Sequence, residues 1–436
     1  MYNENKTILK FPFLSLEVVG REDSMQPLIH EGPIHGERLH YLDGLRVLAV
    51  LGVFYAHAAN IFDLFYWHIK GVEQNGNLIV LVVFGTEWGM SLFFVLAGAG
   101  AWFALQSRTS GQFISERFKR LIIPCIAGTI LLSPFEAYLI ALSHSLFKGN
   151  LLQFYPYFFT NIQISWNPQW IGTVSFHLWF LAYLFFISIL ALPVLLYLKR
   201  KRGLSFITKL AAICDRPAGF FVFALPIALI QIALRASFPG YQNWGDFFVW
   251  LFIFIYGFIL YADPRFQSAI QKQWMLMLFI GVTSLLVMLG AYISGVLSSW
   301  DTISNFSVGY VLYQLLRSIF TWSWMVFALY FGMRFLNFSN RIIDYCNEAV
   351  LPFYILHYPV IVVIAFFTFS WDINMGVKFL IVTTAALITT LVLYDLFIRR
   401  INVSRWLFGM KPLHAPQPEQ VQEPPLNSSP SPPLRL

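Results

Sequence analysis

Arg46 and His57 are the two ionisable side chains inside an apolar stretch that begins after Asp43 and ends at Asn60. A helix turns about 100° per residue, so the eleven-residue step from Arg46 to His57 makes three turns plus roughly 20°. Both side chains are therefore predicted to point from one helix face, about 16 Å apart along the axis. Asp43 can cap the first turn and lies within reach of Arg46.

These residues also have a simpler interpretation, in which His57 packs at a helix interface and Arg46 extends its charged end to the membrane surface. Ionisable groups at membrane depth are costly, however, and usually mark a functional site. A base aimed into a space shared with a guanidinium favours an active-site wall over a packing seam. His57 is therefore a candidate base in an active-site wall that also carries Arg46 and Asp43 at the other end of the helix.

The composition indicates that this helix is one of many in a membrane. Of 436 residues, 58% are hydrophobic and only 12% are charged, whereas soluble domains have about 25% charged residues. Apolar runs of about 20 residues recur, which is the length at which a helix crosses a bilayer. The predicted fold class is an all-α polytopic membrane protein with about ten transmembrane helices. These predicted spans lie roughly at 41–60, 78–105, 121–142, 174–198, 218–238, 246–262, 274–297, 309–333, 348–369 and 377–398.

Basic residues are distributed unevenly between the predicted connections. The termini and alternate connections hold 23 of the 29 lysines and arginines, whereas the opposite connections hold only Lys70 and Lys148. Cytoplasmic loops carry such an excess, so both termini are predicted to be cytoplasmic. The net charge of +7 then reflects topology and attraction to the lipid bilayer, with no indication of a nucleic-acid partner.

Three parts of the chain follow from this topology. Residues 1–40 are a cytoplasmic N-terminal segment with no visible cleavable signal, so the first apolar run is expected to direct insertion. Residues 41–398 form the transmembrane domain. Residues 399–436 form a cytoplasmic tail, basic at first and then proline-rich, a composition typical of disorder. We expect a multi-pass protein of the cell's inner (plasma) membrane.

Arg117 and Arg120 precede the third span and share a helix face, since they are three residues apart. Two guanidiniums on one face can hold a phosphate group through paired hydrogen bonds. Ordinary anchoring by cytoplasmic basic residues explains them equally well, and charge alone does not decide between the two interpretations.

Further candidates lie deeper or nearer the outer side. His177 and Trp179 are predicted at the outer mouth of the fourth span, where they either position an acceptor or belong to an aromatic belt. Arg317 and His357 are predicted near the bilayer midplane, where an arginine needs a partner or a polar cavity. Glu87 lies near the outer interface and is interpreted as a solvated carboxylate rather than a general acid.

Other residues are interpreted structurally. Small residues at 97–101 of the second span are expected to let another helix approach closely. Arg235 and Asp395 lie at span ends and are expected to extend to the membrane surface. The three cysteines are scattered without the spacing of a metal or redox site, so we expect reduced thiols, no metal and no permanently bound cofactor.

Five segments together resemble the acyltransferase-3 family of membrane proteins. They are YLDGLRVLAVLGVFYAH, SLFFVLAG, RFKRLIIP, HLWFLAYLF and AVLPFYILHYP, in the order that the family has them. The second and fourth are similar to the glucan-modifying branch of the family, the glucan biosynthesis protein C-like proteins, which succinylate glucans. Ala97 departs from the family pattern, because many members carry serine there.

This resemblance implies transfer of an acyl group from cytoplasmic acyl-CoA, such as acetyl-CoA or succinyl-CoA, to a hydroxyl of a glycan or other cell-envelope polysaccharide. It implies that His57 is the catalytic base, that Arg46 is its partner toward the donor and that Arg117 and Arg120 bind the CoA phosphates. Candidates for oxyanion or acceptor contacts are His177, Trp179, Arg317 and His357, with Arg46 also able to stabilise the oxyanion.

Two other classes of function stay open at this stage. A transporter or flippase would use His57, Arg317 and His357 as a substrate or proton path. The chain has no apparent inverted repeat, and the arginine pair at 117 and 120 has no evident role in transport. A non-catalytic sensor would bind acyl-CoA without turnover. We favour the acyltransferase.

Overall fold

The structure is a computed structural model that describes residues 39–64, 67–71, 73–76, 78–296 and 306–413, apart from the side chains of residues 79–83 and 86. Regular structure within these residues is helical, in agreement with the predicted all-α class. Nearly all of the predicted N-terminal segment, and the proline-rich part of the predicted tail, lie outside the described residues.

Sixteen α-helices follow one another along the described chain. They are α1 His40–Ala59, α2 Leu78–Ser107, α3 Ser110–Arg117, α4 Ile123–Leu131, α5 Ser133–Ser143, α6 Leu151–Thr160, α7 Gln169–Ser175, α8 Trp179–Leu198, α9 Lys201–Cys214, α10 Ala224–Leu234, α11 Trp244–Ala262, α12 Arg265–Ile293, α13 Val308–Phe335, α14 Arg341–Thr368, α15 Met375–Leu393 and α16 Asn402–Leu407.

Nine helical segments of the described chain are long and apolar enough to cross a membrane. They overlap nine of the ten predicted spans. The fifth predicted span, 218–238, coincides instead with a shorter apolar segment, Gly219–Leu234. The protein is thus a multi-pass helical membrane protein, while the number of crossings and the side of each terminus stay predictions.

The third membrane segment is broken into several short helices. The Thr109 hydroxyl accepts a hydrogen bond from the Gln112 backbone amide, and the Gln112 side chain accepts one from the Thr109 backbone amide. This capping box fixes the start of the segment. A π-helical turn over Phe118–Ile122 then precedes Pro124 in the first turn of α4. Since proline lacks an N–H and clashes with the preceding turn, the helix changes register here. Arg117 immediately precedes this turn, and Arg120 lies within it.

The chain folds back on itself directly after α1. The Lys70 ammonium donates to the carbonyls of Asn60, at 2.7 Å, and Asp63, at 2.9 Å, and it also contacts the buried Asp63 carboxylate. The Gly71 amide donates to the Ile61 carbonyl at 2.9 Å. Residues 60–64 and 67–71, hereafter the cap, are thereby held against the end of α1 that carries His57.

Close packing of α2 against α11 depends on glycines on both helices. A Cβ atom added at Gly98 would lie 1.9 Å from the Phe254 carbonyl oxygen, and one at Gly257 would lie 2.1 Å from the Val95 carbonyl oxygen. Small residues allow helix backbones to approach in this way inside a membrane. The expectation for the 97–101 cluster is therefore confirmed at Gly98.

The expectation for Arg235 was wrong. Its side chain is 6% exposed, and its guanidinium binds the Asp246 carboxylate and the Gln231 side-chain oxygen. The charge is satisfied inside the protein because α11 brings Asp246 to it, a contact that the position of Arg235 at a span end does not reveal. Asp395 instead pairs with Arg399 and Arg400 at the end of the last span.

We expect Gly98→Ala to destabilise the fold by about 2 kcal/mol or more, since the methyl group meets rigid backbone of α11. The loss is measured as a lowered thermal midpoint of the purified protein in detergent. Gly52→Ala is the matched control, because a Cβ there has no atom within 4 Å. Equal midpoints for the two variants would show that α2 and α11 do not depend on this contact.

Candidate active site

Two histidines from opposite ends of the sequence meet at the centre of the candidate site. His57 lies in the last turn of α1, and its Nδ1 is 3.0 Å from Nε2 of His357 on α14. The two rings are nearly parallel, with centroids 5.1 Å apart and planes at 6°. Nδ1 of His357 lies 2.7 Å from the Tyr354 carbonyl oxygen and 3.2 Å from that of Phe353. Hydrogen bonds therefore link the backbone of α14 to His57.

His177 joins this pair from a third element. It lies in a 3₁₀ turn, Phe176–Leu178, just before α8, and its ring centroid is 5.2 Å from that of His357. Its Nε2 donates to the Ile355 carbonyl at 3.0 Å. Phe176 has a φ of 47°, a left-handed conformation that is strained for a residue with a side chain. This strained residue turns the chain where His177 enters the interior.

Aromatic rings from the cap and from α14 pack against His57. The Trp67 ring centroid lies 5.4 Å from that of His57, and the Tyr358 centroid lies 5.2 Å from it. Nδ1 of His68 is 3.0 Å from the Tyr358 hydroxyl. Burial lowers the pKa of the His68 imidazole below its ordinary value, which favours the neutral ring. His57, His177, His357 and His68 thus form one group, the histidine cluster.

A separate cavity of about 730 Å³ opens next to the other end of α1. Its charged lining comprises six basic and three acidic side chains, from Asp43, Arg46, Arg108, Glu116, Arg117, Arg120, Glu348, Arg405 and Lys411. The excess of basic groups makes it suited to an anionic ligand. Predicted residues Asp43, Arg46, Arg117 and Arg120 therefore share one cavity.

Acidic side chains hold most of these guanidiniums in place. Arg46 pairs with Asp43 at 2.8 Å, and Arg405, which is 6% exposed, pairs with Glu348 at 3.0 Å. Glu116 lies 2.9 Å from Arg108 and 3.8 Å from Arg120.

Arg117 is held differently. Its Nη2 donates to the Ala97 carbonyl at 3.2 Å, and its guanidinium lies 5.1 Å from the centroid of the Phe113 ring. A backbone carbonyl and an aromatic face fix the position of the group while neutralising little of its charge. Arg117 therefore offers a positive charge to a bound anion.

The cavity and the histidine cluster are close but separate. Val50 of α1 lines the cavity, whereas Phe54, one turn further, is fully buried and packs against Phe353 and His357. Seven residues separate Val50 from His57, which is about 10 Å along the helix. Tyr354 also lines the cavity, and its hydroxyl donates to the His177 carbonyl. Aromatic side chains thus stand between the two regions.

Arg317 and Trp179 make their described contacts elsewhere. Nε of Arg317 lies 2.5 Å from the Glu87 carboxylate, and the Thr321 hydroxyl donates to the Glu87 carbonyl at 3.2 Å. The arginine therefore has the partner that its predicted depth required, and Glu87 is paired instead of being solvated. Trp179 is buried and stacks on Trp250, with centroids 5.0 Å apart. His177 and Trp179 are thus both buried, and their roles in positioning an acceptor stay predictions.

Several residues of the site were missed in the sequence. His68 stands beside Trp67 just after the first span, and Glu348 immediately precedes the AVLPFYILHYP segment, so both positions carried a weak signal. Arg405 resembled an ordinary cytoplasmic anchor after the last span. In the described part of the chain, no group of three or more His, Cys, Asp and Glu side chains could hold a metal ion.

The fold and the site together define a class, a multi-pass helical membrane protein in which a histidine cluster adjoins a basic cavity. Residues 39–399 match the model of the acyltransferase-3 family, described as an acyltransferase domain. Because this match covers most of the chain, the protein belongs to the acyltransferase-3 family and is a membrane acyltransferase.

The chain is also similar in sequence to named bacterial proteins. Glucans biosynthesis protein C of three Escherichia coli strains, O1:K1, O45:K1 (S88) and UTI89, is in each case 22% identical over 396 residues. The match covers 87% of this chain and 97% of the relative. No solved structure matches the chain.

The Arg317–Glu87 pair generates a stability prediction. We expect Arg317→Gln to lower the free energy of unfolding by roughly 3 kcal/mol, because it leaves the Glu87 carboxylate without its partner. The double variant Arg317→Gln/Glu87→Gln should recover most of this loss, since two amides can bond to each other. Thermal unfolding of both single variants and the double variant measures the coupling. Additive losses would contradict a structural role for the pair.

Proposed function

We propose that this protein transfers an acyl group from cytoplasmic acyl-CoA to a hydroxyl of a glycan acceptor, with His57 as the base. The observation that carries the proposal is that α1 joins two chemically distinct regions. Asp43, Arg46 and Val50 line the basic cavity, whereas His57 is hydrogen-bonded to His357. A donor bound in the cavity would therefore extend along α1 toward a base.

The charge of the cavity suits the phosphate end of CoA. Guanidinium groups bind phosphate oxygens through paired hydrogen bonds, and Arg117 and Arg120 are the residues we assign to this contact. Arg405 and Lys411 extend the basic lining. Apolar side chains of Phe93, Leu96 and Leu181 line the same cavity and suit the long neutral arm that carries the thioester.

In the proposed reaction, the neutral His57 ring takes the proton from the acceptor hydroxyl as its oxygen attacks the thioester carbonyl carbon. The C–S bond then breaks, and the acyl group stays on the acceptor oxygen as an ester. Protonated His57 returns the proton to the departing CoA sulfur, which leaves as the free thiol. No other reactant is needed.

In this scheme His177 does not stabilise the oxyanion. A carbonyl oxygen only accepts hydrogen bonds, so Nε2 of His177 must carry the hydrogen that it donates to Ile355. Nδ1 of the neutral ring is then an acceptor, and it has no hydrogen-bond partner among the described residues. The His177 ring can therefore accept a hydrogen bond from a hydroxyl of the acceptor substrate, but it cannot donate one to a negatively charged oxygen.

His357 is assigned as a positioning residue for the base. Its Nδ1 carries the hydrogen, because its neighbours there are the carbonyl oxygens of Tyr354 and Phe353. Nε2 of the neutral His357 ring is consequently an acceptor, so Nδ1 of His57 must donate to it. This leaves the lone pair of His57 on Nε2, where it can take the acceptor proton.

The distribution of basic residues supports donor entry from the cytoplasm and a location in the inner (plasma) membrane. A glycan acceptor agrees with the name of the Escherichia coli relatives, glucans biosynthesis protein C. Acetyl-CoA and succinyl-CoA are the donors to test first.

The proposal is tested by release of free CoA thiol from acetyl-CoA and succinyl-CoA by the purified protein in lipid nanodiscs, with and without a short glucose oligosaccharide. We expect thiol release by the wild-type protein and a loss of about a hundredfold or more in His57→Ala, since the general base is removed. Mass spectrometry of the oligosaccharide identifies the transferred group.

A charge-matched comparison separates donor binding from chemistry. Arg117→Gln/Arg120→Gln should raise the KM for acyl-CoA, whereas Arg334→Gln/Arg341→Gln, which removes two basic groups that do not line the cavity, should leave it unchanged. Full activity of a folded His57→Ala variant would contradict the proposal. Binding of acyl-CoA without thiol release from either donor, with the acceptor present, would contradict it too.

His357 generates a separate prediction, because glutamine and leucine have similar volumes but only glutamine retains an acceptor. His357→Leu should lower kcat by about a hundredfold, since nothing then holds the hydrogen of His57 on Nδ1. His357→Gln should stay within about tenfold of wild type, and the KM for acyl-CoA should change little in both. Equal losses in kcat for the two variants would assign His357 a packing role only.

A further inference from the structure

Glu136 of α5 differs from the other buried acidic residues. Four acidic side chains in the described chain are less than a tenth exposed, and three of them, Asp43, Asp63 and Asp246, form ion pairs with a basic residue. Glu136 is 1% exposed, and neither of its carboxylate oxygens has a hydrogen-bond partner among the described residues. A buried carboxyl group without a partner opposes folding, so its presence calls for a functional explanation.

The helix that carries Glu136 is connected to the histidine cluster. Helix α5 packs against α14, which carries Tyr358 and His357. Tyr358 in turn contacts the His57 ring and the His68 imidazole. The end of α5 is also tied to the cap, because Nε2 of His144 donates to the His68 carbonyl at 3.0 Å.

The basic cavity, to which the donor is proposed to bind, lies elsewhere. Its lining comes from the first two membrane helices, from α3 and the following π-helical turn, from α8 and α14, and from the segment after the last span, with no residue of α5. Glu136 thus lies on an element that is connected to the histidine cluster and does not line the basic cavity. A group in this position is suited to the second substrate, the acceptor.

We propose that Glu136 binds a hydroxyl of a polyhydroxylated acceptor next to the hydroxyl that His57 deprotonates. The inference rests on the proposed function. A carboxyl group presents two oxygens that form hydrogen bonds, so it can hold adjacent hydroxyls of a sugar ring. The acceptor hydroxyls supply the partners that the protein does not, and they orient the ring so that one hydroxyl faces Nε2 of His57.

The test compares two reactions of the full-length protein in nanodiscs. In Glu136→Leu, the KM for a short glucose oligosaccharide should rise about ten- to a hundredfold, because both oxygens that hydrogen-bond to the acceptor are lost. Release of CoA thiol from acyl-CoA without oligosaccharide should stay within about twofold, since the donor and His57 are untouched. The thermal midpoint should be equal to wild type or higher, because a buried carboxyl without a partner is replaced by an apolar side chain.

Leu139→Ala, a truncation of a buried side chain on the same helix, is the control for general damage to α5. It should lower the thermal midpoint and reduce both reactions together. Glu136→Asp keeps the carboxyl group and provides a second variant, with an oligosaccharide KM between those of wild type and Glu136→Leu. An unchanged oligosaccharide KM in Glu136→Leu, or parallel losses in both reactions, would overturn the inference alone. Absence of His57-dependent thiol release from wild type would overturn the proposed function as well.

Discussion

The hydrogen bond between His57 and His357 is the interaction on which the rest of the candidate site depends. Its direction is imposed by the backbone of α14, because the carbonyls next to Nδ1 of His357 can only accept. The same bond joins the first and fourteenth helices, whose packing forms one wall of the basic cavity. The packing of these helices, the cavity that they line and the position of the hydrogen on His57, the proposed base, are therefore parts of one arrangement.

Charge pairing explains how so many ionisable groups fit inside a largely apolar protein. Arg235 and Arg317 are each held by a carboxylate from another helix, so their desolvation is compensated. The Arg317–Glu87 pair also joins two helices that are distant in sequence. At the cavity the balance is different, since six basic groups face three acidic ones. The acids there hold the guanidiniums in position but leave an excess of positive charge for a ligand.

Local periodicity was sufficient to predict some of this from the sequence. Arg46 and His57 lie on one helix, so their relation follows from the geometry of 3.6 residues per turn. Nine of the ten spans predicted from the apolar runs overlap the membrane segments of the described chain. Contacts between distant elements were out of reach: His57 meets His357 300 residues later, and Arg317 meets Glu87 230 residues earlier. Arg317 was a candidate for the site because its partner could not be seen, and Glu136 was missed because burial without a partner is a tertiary property.

The separation between the cavity and the histidine cluster has a chemical meaning for the proposed reaction. Phe54 and Tyr354 stand between a donor in the cavity and the base, so the thioester must displace or pass aromatic side chains before it meets His57. Water that enters the cavity meets the same obstacle. A base that is ready to deprotonate a hydroxyl would also activate water, and hydrolysis would waste the donor. Trp67 and Tyr358 both pack against the His57 ring, which limits its contact with water and favours transfer to an acceptor held beside it.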